Sequence, residues 1–253
     1  MPACLTRVVT QIVVEKVHIG TSGWYYKHWL GVFYPKKFPT QDMLTFYAQH
    51  FDTVEINNSF YHLPANSTFD AWRETAPEKF LFAVKGSRFI THMKKLKEPG
   101  NSTAKFFHGV ERLKEKLGPI LFQLPPRWHL NTQRLAEFLE TLPKEHKYSF
   151  EFRDRSWHVG QVYDLLRKHN AAICIYDLSG AETPLEVTAD FTYIRFHGPT
   201  EARYAGSYPT QTLKQWASRI EDWRKNLTDV YVYFNNDVGG HAVEDAQKLK
   251  ELV

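Results

Sequence analysis

Eight short runs of strand-forming residues recur along the chain, and most of them close on polar or charged side chains. They are Val17–Gly23, Thr53–Asn57, Phe80–Lys85, Ile120–Leu124, Tyr148–Phe152, Ala171–Asp177, Phe191–His197 and Val230–Asn236. Between most of them lie segments with apolar residues at helical spacing, over about 40–50, 68–75, 102–117, 132–142, 157–169 and 212–226, with a last one from Gly239 to the end. Gly118-Pro119 is read as the stop of the 102–117 helix, and the 178–190 connection as too short for more than one helical turn. Strands that alternate with helical crossovers lie parallel, because each crossover brings the chain back to the same end of the sheet. The predicted fold class is therefore α/β, a single (β/α)8 TIM-type barrel over 17–253 preceded by an N-terminal extension over 1–16 that is given no role. The other solution, an open doubly wound sheet, lacks a G-x-G-x-x-G after the first strand.

A barrel of this kind builds its site at the carboxyl ends of the strands, so the strand tips are the residues to read. Alternate residues of a strand share a face, which sets Tyr193, Arg195 and His197 against Thr192, Ile194 and Phe196. Charges gathered at one rim cost several kcal/mol each unless they pair or hold something. Glu55, Glu151 and Asp177 are candidate acid/base carboxylates, with His197 as a candidate base. Arg153 beside Glu151, with Arg195 nearby, points to ion pairing for at least one of them. The loops after the last two strands, His197-Gly198 and Asn236-Asp237-Val238-Gly239-Gly240, occupy the usual phosphate cradle of the fold. Gly239 and Gly240 would let backbone N–H groups approach an anion, and Lys85, Arg153, Arg195 and Asn235 would complete its site, although Asp237 facing inward would repel it. Trp24, Tyr61 and Trp157 are candidates to stack on a base or sugar. Trp216 and Trp223 have helical spacing and read as core, as does His18, well below the end of its strand.

Composition narrows the class. With 43% hydrophobic and 24% charged residues the chain is ordinary for a soluble globular protein. A net charge of +4 is a mild bias toward a small anionic or phosphorylated ligand rather than a nucleic-acid signature, though the ring-rich rim keeps nucleic acid open as a partner. Cys4 and Cys174 make no disulfide framework and suit a reducing cytoplasm. The first residues, broken by Arg7, Gln11 and Glu15, form neither a signal h-region nor a span, so no membrane is expected. There is no organic cofactor motif. The carboxylates would suit a divalent metal, but no Cys/His spacing or further rim histidine favours one.

The segments IGTSGWYYKHWLGVFYP, FDTVEINNSFYHLP, FAVKGSRFITH, LFQLPP, FEFRDRSW, YIRFHGP and VYVYFNND, in this order from Val17 nearly to the end, together resemble the domain-of-unknown-function 72, or YecE-like, family. The resemblance implies a TIM-type barrel in a soluble, mainly bacterial and archaeal protein, and it implies no reaction. That barrel is similar in outline to the endonuclease-IV and xylose-isomerase type, whose His-rich metal motifs are absent from the strand ends here. The leading expectation is an enzyme or binding barrel for a phosphorylated substrate, a nucleic-acid-derived one being among the options. Two alternatives stand beside it: a carbohydrate hydrolase using two of Glu55, Glu151 and Asp177 at roughly 5–9.5 Å separation, and a non-catalytic scaffold that binds single-stranded nucleic acid.

Overall fold

The computed structural model describes residues 16–178, 181–202 and 204–253. Cys4 and the N-terminal extension lie outside these, except that Lys16 already opens the first strand. Eight strands form the barrel: β1 Lys16–Thr21, β2 Thr53–Ile56, β3 Leu81–Lys85, β4 Leu117–Leu124, β5 Tyr148–Phe152, β6 Ala172–Leu178, β7 Phe191–Phe196 and β8 Asp229–Phe234. Every neighbouring pair in the order β1-β8-β7-β6-β5-β4-β3-β2 is parallel. The two ends of that order meet at a single bridge between Ser22 and Glu55, which closes the barrel. The helices are α1 Met43–Tyr47, α2 Asn58–Tyr61, α3 Asn66–Thr75, α4 Pro99–Val110, α5 Thr132–Thr141, α6 Gly160–Lys168, α7 Thr210–Trp223 and α8 His241–Lys250. Between β6 and β7 a two-residue strand, Ala181–Glu182, folds back antiparallel on β6 in place of a helix. Among the described residues no helix is long and apolar enough to cross a membrane.

The boundary that departs furthest from the sequence expectation is the end of α4. α4 ends at Val110, a 3-10 segment follows over Glu111–Lys116, and Gly118-Pro119 lies inside β4 instead of stopping a helix. The reason lies in the pairing with β3, whose register shifts between Phe82 and Val84. Pro119 has no N–H for a ladder, and a Cβ at Gly118 would sit 3.3 Å from the Phe82 and Ala83 backbone. The dipeptide therefore opens a strand where its pairing is irregular.

The strand alternation divides the core in two. Outward-facing side chains and the helices make the outer layer, in which Trp216 is fully buried. Ala83, Leu121, Ala172, Cys174, Phe191, Tyr193, Tyr231 and Tyr233 fill the barrel itself. At its amino end His18 is buried, with each ring nitrogen 3.2 Å from a carboxylate, Asp52 on one side and Asp229 on the other. Burial opposes charging of this imidazole, but Asp229 and Asp52 outweigh it and lift its pKa above the ordinary value. His18 is thus a core residue, as its position implied, held by an ion network.

The β1–β2 seam needs two devices because the strands share so little ladder. Gly20 lets the backbones close, since a Cβ there would lie 2.2 Å from the Thr53 carbonyl oxygen. The buried Tyr47 hydroxyl then spans the gap, accepting from the Thr21 N–H at 2.9 Å and donating to the Thr53 carbonyl at 3.1 Å. Tyr47→Phe leaves both backbone groups without this partner, so a loss of about 1–3 kcal/mol is expected in urea unfolding at neutral pH. A variant as stable as the parent would show that the seam closes without the hydroxyl.

Candidate functional site

Above the aromatic layer the inward-facing positions turn charged. Arg195 on β7 is wholly buried between two wholly buried glutamates, Glu55 on β2 and Glu151 on β5. One terminal nitrogen donates to Glu55 Oε1 at 2.8 Å and the other to Glu151 Oε2 at 2.6 Å. Glu55 is completed by the Tyr193 hydroxyl, at 2.6 Å, and by the Ser22 hydroxyl. Glu151 is completed by Arg153 Nε. Burial alone would raise the Glu151 pKa, but Arg153 and Arg195 hold it well below the carboxylate range. Burial likewise opposes the charge on Arg195, and Glu55 and Glu151 more than restore it.

The chain of contacts continues to the rim. Arg153 packs over the Tyr176 ring, 4.6 Å from its centre, and its terminal nitrogen lies 2.9 Å from His197 Nε2. The Asn235 amide lies 3.0 Å from His197 Nδ1. Guanidinium only donates, so Nε2 accepts and Nδ1 carries the proton, an arrangement that requires the Asn235 amide to present its oxygen where Nδ2 is placed. Burial, and then the charge of Arg195, push the His197 pKa far below its ordinary value, so the ring is neutral at physiological pH.

Lys85, at the end of β3, is partly exposed and stands apart from this ladder. Its ammonium sits 4.4 Å from the centre of the Phe60 ring. No carboxylate lies within ion-pairing distance of it among the described residues. Burial, and next Arg195, lower its pKa to about 8, against the opposing pull of Glu151 and Glu55. The Ser59 hydroxyl bonds the Lys85 carbonyl at 2.6 Å and so fastens α2 to the strand end.

Seven of the expected residues, Glu55, Lys85, Glu151, Arg153, Arg195, His197 and Asn235, thus meet at one end of the barrel. The others are placed elsewhere. Asp177 belongs to the opposite face of β6, in phase with Ile173 and Ile175 of the outer core, and lies 3.4 Å from the Tyr208 hydroxyl. Trp157, expected to stack on a ligand, is 0% exposed and stacks on Phe152 inside the protein. The Gly240 N–H is used in a turn to the Asp237 carbonyl, and a Cβ on Gly240 would meet Val32 at 2.6 Å, so this residue backs onto the loop after β1. Gly239 is exposed, with φ +73°. Arg195 spends both terminal nitrogens on glutamates and is not free to hold a phosphate. Trp24, 9% exposed, and Tyr61, 63% exposed, line a separate cleft of about 720 Å³. It lies between the loop after β1 and the helices α2 and α3, with Tyr26, Asn57 and Trp72 also in its wall.

Sequence reasoning missed Asp245, wholly buried on α8. It accepts from the Ser207 hydroxyl at 2.6 Å, the Tyr208 N–H at 2.9 Å and the Asn236 amide at 2.8 Å, and so fastens the loop after β7 to the end of β8. The available signal was a carboxylate in phase with Ala242, Val243, Ala246 and Leu249 on the apolar face of that helix.

Comparison with known proteins adds three findings. Residues 18–253 match the family model described as "Protein of unknown function DUF72". The chain is 27% identical to the UPF0759 protein YunF of Bacillus subtilis over 94% of each chain, and 30% identical to the UPF0759 protein YecE of Escherichia coli K12 over 88% of this chain and 87% of that one. It superposes on the crystal structure of a DUF72 family protein from Thermotoga maritima with a TM-score of 0.83 at 29% identity, covering 94% of this chain and 98% of that one.

Proposed function

The chain belongs to the DUF72 family, and from the charges at its barrel mouth we propose that it binds, and acts on, a small anionic or phosphorylated ligand there. The observation that carries this reading is the cation excess. Lys85, Arg153 and Arg195 face Glu55 and Glu151, the two carboxylates are consumed by the two guanidinium groups, and Lys85 is left without a counter-ion. A partly buried ammonium in this position is stabilised by an incoming anion. Lys85 and the outer edge of Arg153 are the groups that meet the ligand, and neutral His197 behind Arg153 accepts from that guanidinium and holds it in position. Asp177 stands outside this arrangement, and the two remaining carboxylates share one arginine, which gives little support to a two-carboxylate hydrolase.

The test is a thermal-shift series with inorganic pyrophosphate, a sugar phosphate, a neutral sugar and a single-stranded oligonucleotide. A phosphorylated ligand at about a hundred times its dissociation constant adds roughly 2.7 kcal/mol, or about 5–10 °C. Lys85→Met breaks no ion pair and is expected to fold, yet to lose the shift. A shift with the neutral sugar alone overturns the proposal. A shift with the oligonucleotide alone, weakening as salt rises, moves the reading to the scaffold.

A further inference from the structure

We propose that Lys85 is a nucleophilic amine that forms an imine with an aldehyde or ketone admitted at the carboxyl end of the barrel. A lysine becomes a nucleophile at neutral pH when it is desolvated or set beside other cations with nothing to hold its proton. Lys85 meets each of these conditions. Its Nζ rests on the face of Phe60 instead of on a carboxylate, and Phe60 is itself walled by His92 and Tyr61, each with its ring centre 5.0 Å away. The titratable groups that act on it come from several elements: Glu55 on β2, His92 in the segment after β3, Glu151 on β5 with Arg153 just past its end, and Arg195 on β7 with His197 just past its end. The glutamates would stabilise its proton but are already bound by guanidinium groups, and the imidazoles are neutral, with that of His92 lowered to about 4. Burial and Arg195 prevail, which brings the amine to about 8 and leaves an appreciable unprotonated fraction at pH 7.

The chemistry balances without a further reagent. Nζ adds to the carbonyl carbon and its proton passes to the oxygen, giving a carbinolamine. The C–O bond then breaks, water leaves and the C=N bond forms. This deepens the proposed function and rests on it only for the ligand's charge, so that the substrate class becomes a carbonyl compound carrying an anionic group.

The experiment is borohydride trapping of the full chain with glyceraldehyde and, separately, with glyceraldehyde 3-phosphate, followed by peptide mapping. The expected result is one dominant adduct on Lys85, formed about ten-fold or more faster than on exposed lysines, with a rate that rises with pH and levels near 8. Faster trapping of the phosphate supports both proposals. Equal trapping of the two aldehydes at Lys85 keeps the imine and overturns the anion. Adducts spread over surface lysines with Lys85 unmodified overturn the imine, whatever the thermal shifts show. Lys85→Arg retains the cation, so it should keep the sugar-phosphate shift and lose the adduct. The wild-type peptide map decides the matter even if that variant does not fold.

Discussion

Replacing Arg195 with methionine is expected to destabilise the protein by about 3–5 kcal/mol at pH 7, the usual loss when one partner of a buried ion cluster is removed. Methionine fills similar space, so the effect reports charge and hydrogen bonding more than volume. Glu55 and Glu151, both fully buried, would be left facing one another's charge without the cation between them. The pH dependence follows from the sign of the shift. In the parent, Glu151 has a depressed pKa, so its contribution is present above the unfolded carboxylate value and fades as pH falls through the folded one. In R195M Glu151 loses one of the two charges that held it ionised, its pKa rises, and the penalty is relieved as pH falls and it protonates. Urea unfolding at pH 7 and pH 5 should therefore show the gap between parent and variant narrowing on acidification. Adding E55Q and E151Q to R195M should recover much of the stability at pH 7. A single variant within about 1 kcal/mol of the parent would mean that the cluster is hydrated rather than sealed.

Trp157→Ala is expected to cost a further case of about 3–5 kcal/mol, because a large fully buried side chain is removed from a packed layer. Trp157 stacks on Phe152 with ring centres 5.0 Å apart, meets Trp128 edge-on at 5.2 Å, and donates its Nε1–H to the Trp128 carbonyl at 2.5 Å. The packing fixes the loop after β5, and with it the stretch that carries Arg153. The decisive comparison is stability against affinity. Below its melting temperature, W157A should keep the ligand-induced shift of the parent. Unchanged stability with lost affinity would return Trp157 to the ligand.

Strand alternation made much of this legible in advance. Tyr193, Arg195 and His197 had to share a face, and eight strands in parallel had to gather their tips, so seven of the charged and polar residues could be placed in one layer. What alternation does not fix is partnership. Arg195 read as a ligand-facing cation because the sequence does not tell which of two glutamates, on strands far away in the chain, lies within reach; both do. Asp177 was misplaced by one step of the same alternation, since it follows inward-facing Tyr176. Trp157 and Gly240 failed for another reason: exposure at a loop depends on what the neighbouring loops cover, here Trp128 and Val32. The Gly118-Pro119 dipeptide has two local readings, helix stop and strand start, and only the register of β3 chooses between them.

The same cluster has a kinetic side. Arg195 reaches Glu55 across 140 residues of chain and Glu151 across 44, so its bonds form only once β2, β5 and β7 stand in one closed barrel. Contacts of such long sequence separation come late, after the loops between them have been closed. Late contacts are absent from the barrier state, and removing them speeds opening while leaving assembly almost unchanged. A 3 kcal/mol loss placed there corresponds to an unfolding rate roughly a hundred-fold faster. The charges buried at the mouth thus act as a latch on a barrel that other residues build.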